Sequence, residues 1–330
     1  MEVHVEDKGA QMKDSHPYKP LSGREFPRFS QIKTFFRLPW ADVQDDFDVA
    51  LLGIPFDGGV SYRPGARFAP TRVREMSSLG RGYHWSRDIS IFDRIRVADV
   101  GDTSVVPMSL EQTYQKIEHF VGQLLKTKKR IIAVGGDHST TLPVLRALRQ
   151  YYGAPLNFIH FDAHLDTYPA AWNIEYHHGA FARHAVTEGL VDPKNMIQIG
   201  LRGPLVERED LKFVRDHGIR TYTIDDIRER PIQDFVKTLP SFKTGPTYIS
   251  FDVDALDPSC APGTGTPVPG GLTSYEAQRI LRALDISNLV GADVVEICPA
   301  YDLSDLTSLI GVDVMFEFLS LMAKSNGLKK

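Results

Sequence analysis

The chain has 330 residues, 42% hydrophobic and 24% charged, a composition suited to a globular protein with one large core or two small ones. A formal net charge of −4 removes the electrostatic case for nucleic acid, and two cysteines, Cys260 and Cys298, are too few for a disulfide scaffold. No apolar run reaches the length of a membrane span, and the N-terminal acids Glu2, Glu6, Asp7 and Asp14 argue against a secretory signal or transit peptide, so a cytoplasmic protein without a membrane partner is expected.

Residues 1–45 are polar, carry Pro17, Pro20 and Pro27, and read as an N-terminal arm ahead of a single domain over 46–330. Strands are predicted at 49–54, 96–100, 131–134, 157–161, 196–199, 220–223, 247–251 and 289–295. Several of these are near-continuous apolar runs, as expected of strands buried on both faces of a parallel sheet. Ser109 with Gln112 spells a capping box before the helical face Tyr114, Ile117, Val121 and Leu124. The basic run Lys126 to Arg130 that follows reads as a solvated helix end. Thr273 with Glu276 makes a second capping box before a helix ending near Leu284, and 307–324 is apolar enough for a buried helix. Strand and helix in alternation predict a three-layer α/β/α sandwich on a mainly parallel, roughly eight-stranded sheet.

Three of these strands run into metal-binding residue types. His138 follows Gly135-Gly136-Asp137, Asp162, His164 and Asp166 are spaced by two, and so are Asp252 and Asp254. Extended residues two apart point to the same side, so each set can face one point in space. All of them lie at or just past the C-terminal ends of strands, where open α/β sheets place their sites. One such aspartate is ordinarily a turn former or an N-cap. Four gathered carboxylates without cations, however, would be costly to bury. Four carboxylates and two imidazoles exceed what one divalent ion takes from protein, which points to a close pair of ions that activates water. Oxygen ligands with a minority of imidazole suit Mn²⁺ better than Zn²⁺. The four aspartates and a hydroxide outweigh two divalent ions, so the centre favours a cationic electrophile over a phosphate.

These motifs, with Gly263-Thr264-Gly265-Thr266-Pro267 and Arg63-Pro64-Gly65-Ala66-Arg67, resemble those of the ureohydrolases: arginase, agmatinase and the guanidino-acid hydrolases. The likeness runs from about Asp46 to Leu319. It implies an arginase-like fold and two Mn²⁺ per chain, with Ni²⁺ as the alternative ion. The implied reaction is hydrolysis of a small guanidino compound to urea and an amine, by a homotrimer or homohexamer. Position by position, the resemblance puts His138, Asp162, Asp166 and Asp252 at one ion and His164 with Asp162, Asp252 and Asp254 at the other. It implies that Asp166 orients the attacking oxygen, that His178 shuttles protons and that Glu296 pairs with the guanidinium. Guanidinium is resonance-stabilised and a poor electrophile, so the attacking oxygen must be activated, and a fixed carboxylate can set the plane of the cation.

Tyr168 stands where arginase carries Asn, which argues against arginine and for the agmatinase and guanidinobutyrase branch. The loop 168–177 is expected to form the specificity wall, with Tyr168, Trp172 and His177 against the substrate. Trp172 could stack on a guanidinium plane or anchor the loop by packing. An amine-ended substrate such as agmatine would call on Glu175. A carboxylate-ended one, 4-guanidinobutyrate or 3-guanidinopropionate, would call on Arg183, Arg202 or a neighbouring subunit's arginine. Guanidine itself or a methylated biguanide would need only a closed aromatic wall. A one-zinc amide deacetylase and a non-catalytic partner subunit are the rival classes, and the intact ligand set speaks against both. Neither Cys260 nor Cys298 lies in a Cys–His context that would make it a nucleophile.

Overall fold

In the computed structural model, which describes residues 17–325, all eight predicted strands enter one parallel sheet. They are β1 (Val49–Gly53), β2 (Val97–Asp102), β3 (Arg130–Val134) and β4 (Leu156–Phe161). The second half contributes β5 (Val191–Leu201), β6 (Arg220–Thr223), β7 (Thr247–Asp252) and β8 (Leu289–Val295). Their spatial order is β2-β1-β3-β8-β7-β4-β5-β6, so the last two strands of the chain are inserted between β3 and β4. Strand β5 starts five residues earlier than its apolar run, because Val191 pairs with Leu156 across a register shift.

Alternate strand residues feed two cores, which is why the runs are apolar throughout. Val49, Leu51, Ile132, Val134 and Phe251 face one layer, and Ala50, Leu52, Ile131, Ala133 and Tyr248 face the other. The second layer is covered by the helices Leu110–Lys126 and Thr141–Tyr152, the first by Ser274–Ala283 and Leu306–Ser325. Ser109 Oγ accepts the Gln112 amide, and Thr273 with Glu276 forms the full reciprocal box. The C-terminal helix is long and apolar enough to cross a membrane by length alone, but 72% of its apolar window is buried inside the protein. It is a core helix.

Two expectations need correction. The described part of the arm, from residue 17, joins the core before residue 46: Phe35, Phe36 and Leu38 are buried, and the Phe35 amide donates to Asp99 Oδ2 at 2.8 Å. Burying each such phenylalanine contributes roughly 2–3 kcal/mol, which a polar average over 45 residues conceals. Residues 1–16, with Glu2, Glu6, Asp7 and Asp14, lie outside the described residues. Within the basic run, Lys129 is buried rather than solvated; its ammonium donates to the Asp45 carbonyl at 2.6 Å and sits 4.4 Å from the Phe47 ring centroid.

Candidate metal centre

The four adjacent strands β3, β8, β7 and β4 each end in site residues. After β3 the chain must squeeze past Phe56: a Cβ on Gly136 would lie 1.5 Å from the Phe56 carbonyl oxygen, so only glycine passes. Asp137 then caps a tight turn, its Oδ1 accepting the Ser139 amide at 2.8 Å, and this turns His138 inward. After β4, Asp162 Oδ1 accepts the His164 amide at 2.6 Å; at the end of β7, Asp252 Oδ1 accepts the Asp254 amide at 2.8 Å. These side-chain turns hold each pair of donors on one side of the strand end. Asp166 (φ 49°) and Glu296 (φ 63°) both occupy the left-handed region, a strain that active sites commonly carry.

Six predicted ligands converge. His138 Nδ1 is 3.2 Å from one oxygen each of Asp162, Asp166 and Asp252. His164 Nδ1 is 3.3 Å from Asp162 Oδ1 and 3.1 Å from Asp254 Oδ2. Asp162 therefore divides its carboxylate between two donor sets, Oδ2 to the first and Oδ1 to the second. Donors bound at about 2.1 Å and a right angle to an ion lie roughly 3 Å apart, so these spacings suit divalent cations. His138 Nδ1 is buried and has no hydrogen-bond partner, although three carboxylate oxygens surround it. A lone pair aimed at three anions is unfavourable until a cation sits between them. The residues fit a pair of metal ions.

An outer layer fixes the donors. Ser250 Oγ donates to Asp293 Oδ1 at 2.6 Å, so at 2.8 Å it accepts from His138 Nε2–H, leaving Nδ1 as the free lone pair. Asp293 Oδ2 in turn accepts from Thr141 Oγ1 and the Tyr248 hydroxyl. His160, which sequence reasoning missed, lies 2.8 Å from Asp162 Oδ2 through Nε2. Gln198 donates to His160 Nδ1 at 3.0 Å and to the Leu165 carbonyl at 2.7 Å, which makes His160 Nε2 the protonated nitrogen. His160 thus orients Asp162. Its signal was available: it stands two residues before Asp162 on the same strand face.

Electrostatics follow from burial. Desolvation alone would raise Asp162, but His160, His138 and His164 more than offset it and hold the carboxyl well below its ordinary value. Burial, with neighbouring carboxylates, pushes Asp252 well above its ordinary value and raises Asp254 as well. Without cations, Asp252 and Asp254 therefore hold protons more tightly than free carboxyls do.

His178 and Glu296 meet at the edge of this cluster. Burial lowers the affinity of His178 for a proton, but the Glu296 carboxylate at 3.0 Å outweighs it, and the imidazole is pushed up to about 9. Glu296 Oε1 also accepts the His138 amide at 2.9 Å, while Oε2 is buried without a partner. Glu296 lies one layer beneath the cavity wall, behind His178.

Above the donors opens a cavity of about 410 Å³ whose wall includes Tyr168, Trp172, His177, Val206, Glu207 and Asp210. Trp172 (φ 52°) and Asn173 (φ 63°) are the centre of a two-residue hairpin closed by Ala171 and Ile174, and Trp172 is 74% exposed at the rim. Tyr168 is half-buried, and burial raises its hydroxyl to about 12. His177 Nε2 contacts the Pro169 carbonyl at 3.1 Å.

The proposed tail partners are elsewhere. Arg183 Nε donates to the carbonyls of Thr167 and Tyr168, and its guanidinium covers the Phe213 ring. Arg202 is consumed by backbone carbonyls, among them Asp254, Leu256 and Val268. Both guanidinium groups hold loops in place. Glu175 is exposed and off the cavity, and Tyr176 packs on Tyr114 and His184. Burial raises both cysteine thiols, which leaves Cys260 and Cys298 poor nucleophiles.

A parallel sheet whose central strand ends gather two donor sets sharing one carboxylate defines a binuclear-metal hydrolase. The chain belongs to the Arginase family, which it matches over residues 47–320. It is 43% identical over 316 residues to guanidinopropionase of Pseudomonas aeruginosa, covering 95% of this chain and 98% of that protein. It is 40% identical to proclavaminate amidinohydrolase of Streptomyces clavuligerus over 302 residues, 91% of this chain and 96% of that one. The solved structure of the Streptomyces enzyme superposes with a TM-score of 0.85, 39% identity, and coverage of 91% of this chain and 99% of that one. A hypothetical agmatinase from Burkholderia thailandensis gives a TM-score of 0.81 at 34% identity, covering 90% and 92%. The protein is an enzyme, a metal-dependent hydrolase that cleaves a guanidino compound to urea and an amine.

Proposed function

We propose that the chain hydrolyses a short guanidino acid, 3-guanidinopropionate or 4-guanidinobutyrate, with two Mn²⁺ ions held by His138, Asp162, Asp166, Asp252, His164 and Asp254. The observation that carries the metal part is the division of Asp162 between His138 Nδ1 (3.2 Å) and His164 Nδ1 (3.3 Å). When bound, the ions supply Lewis-acid activation of water at neutral pH. The carboxylate-rich ligand set supports Mn²⁺, with Ni²⁺ the alternative. The substrate reading is supported by relatives named guanidinopropionase and guanidinobutyrase.

Asp166 faces the cavity floor and is the acceptor that orients the attacking water. Glu296 Oε2, lacking a partner in the protein, is the acceptor available to a guanidinium N–H. Protonated His178 supplies the proton that the departing amine requires. No lysine or arginine among the described residues lines the cavity, which leaves a neighbouring subunit's arginine as the cation consistent with a carboxylate-ended substrate. That requirement agrees with the homotrimer or homohexamer inferred from the resemblance.

One observation favours a second substrate, agmatine: the outer wall carries Glu207 and Asp210. The decisive experiment is a urea-release screen over guanidinopropionate, guanidinobutyrate, agmatine, arginine, guanidine and a biguanide, with Mn²⁺ and then Ni²⁺. Preference for agmatine sinks the guanidino-acid reading. Urea from none of them sinks the whole proposal.

A further inference from the structure

We propose that Ser61 is a proton relay: its hydroxyl, rather than the His178 ring itself, hands the proton to the departing amine. This rests on the hydrolase reading above. Both ring nitrogens of His178 are engaged within the protein. Nδ1 lies 3.0 Å from Glu296 Oε1 and carries the proton of that contact, because a carboxylate only accepts. Nε2 lies 3.1 Å from the Ser61 amide and 2.7 Å from Ser61 Oγ, so the neutral ring accepts from the amide and the protonated ring donates Nε2–H to Oγ. Nε2 therefore ends on Ser61, which is exposed and, with His178, forms part of the cavity wall.

The arrangement is built rather than incidental. The His178 amide donates to the Gly59 carbonyl at 3.0 Å, and the Gly59 amide donates to Asp137 Oδ2 at 2.7 Å. A Cβ on Gly59 would sit 2.8 Å from Ser139 Oγ and 3.1 Å from Asp137 Oδ1, so a side chain there would crowd the loop's approach to this carboxylate. Asp137 belongs to the Gly-Gly-Asp-His segment, yet its oxygens face Gly59 and Ser139 and not the metal donors. It is a positioning residue that holds Ser61 against the ring.

The step balances. The C–N bond to the amine breaks with its electron pair on the leaving nitrogen. That nitrogen takes the proton of Ser61 Oγ while Oγ takes the proton of His178 Nε2. His178 is left neutral, with Nδ1–H on Glu296 and Nε2 accepting from the Ser61 amide. The proton shed by the attacking water as urea forms returns to His178 through the cavity and the same hydroxyl.

The test uses the full chain loaded with Mn²⁺ and the guanidino compound that the wild type turns over fastest. Ser61→Ala keeps the backbone amide and removes only the hydroxyl. We expect kcat to fall about ten-fold or more, with KM and metal content unchanged. The dependence of kcat on deuterium fraction should be curved in the wild type, with two protons in flight, and linear in Ser61→Ala. The isosteric pair Ser61→Thr and Ser61→Val should separate into an active and a slow enzyme, and it keeps the comparison between folded proteins. Unchanged kcat in Ser61→Ala, or equal deuterium profiles in the two enzymes, overturns the relay. A wild type that yields no urea overturns the functional reading instead.

Discussion

The Glu296 carboxylate touches both halves of the site through one atom: Oε1 lies 2.9 Å from the His138 amide and 3.0 Å from His178 Nδ1. A single buried oxygen thus ties the turn that carries a metal donor to the ring that carries a proton. Since Glu296 is held in left-handed backbone beyond β8, the tie depends on a conformation that the strand itself does not continue.

Glu296→Gln should lower kcat/KM by about a hundred-fold or more while leaving metal stoichiometry unchanged, because the residue is outside both donor sets. Steady-state kinetics alongside elemental analysis checks this. Normal turnover in the variant would remove Glu296 from the chemistry.

Removal of a donor is a different perturbation. His138→Ala or Asp166→Asn should abolish urea release and lower the number of ions retained after dialysis. Asp293→Asn, one layer out, should weaken metal binding by about 10–100-fold through Ser250 and His138, measured as faster inactivation by a chelator. Unaltered chelator sensitivity would mean that the chain from Asp293 to His138 does not hold the donor.

Trp172 occupies a conformation that costs a non-glycine residue about 1–2 kcal/mol and gains little packing in return, being 74% exposed. Trp172→Gly should therefore leave stability equal or higher while KM rises several-fold. A KM equal to wild type would show that the hairpin tip does not touch substrate.

Far from the site, Glu317 is fully buried and receives His84 Nε2 at 3.0 Å and Arg282 Nε at 2.7 Å, joining the hairpin near residue 84 to two helices. Glu317→Ala leaves these donors without an acceptor and should cost about 3–5 kcal/mol by chemical denaturation. Burial alone would raise the Glu317 carboxyl, but His84 and Arg282 more than offset it and hold it below its ordinary 4.5. A depressed folded value means that its stabilisation is present above about pH 4.5 and is lost as the pH falls through the folded value. Denaturation midpoints for wild type and Glu317→Gln should therefore converge only in acid.

Much of this was legible in the order of residues. The two-residue spacing of Asp162, His164 and Asp166 and of Asp252 and Asp254 announced gathered donors, although past Phe161 and Asp252 it is turns rather than extended strand that hold them together. Apolar runs announced a sheet buried on both faces, and Thr273 with Glu276 announced a helix start. All of these are short-range rules that hold before the chain folds.

Only the tertiary structure decided which donors share an ion, because β7 and β8 enter the sheet between β3 and β4, more than a hundred residues after β3 in the chain. The same insertion brings Ser250 and Asp293 beneath His138. It also sets Glu296 behind His178, with Oε1 3.0 Å from Nδ1. Arg183 and Arg202 looked available in the sequence, but folding commits Arg183 Nε and all three Arg202 nitrogens to backbone carbonyls, since buried loop carbonyls must find donors. Composition and periodicity report which side a residue faces along its own strand. What stands opposite is settled when distant segments pack, and here that contact determines the chemistry.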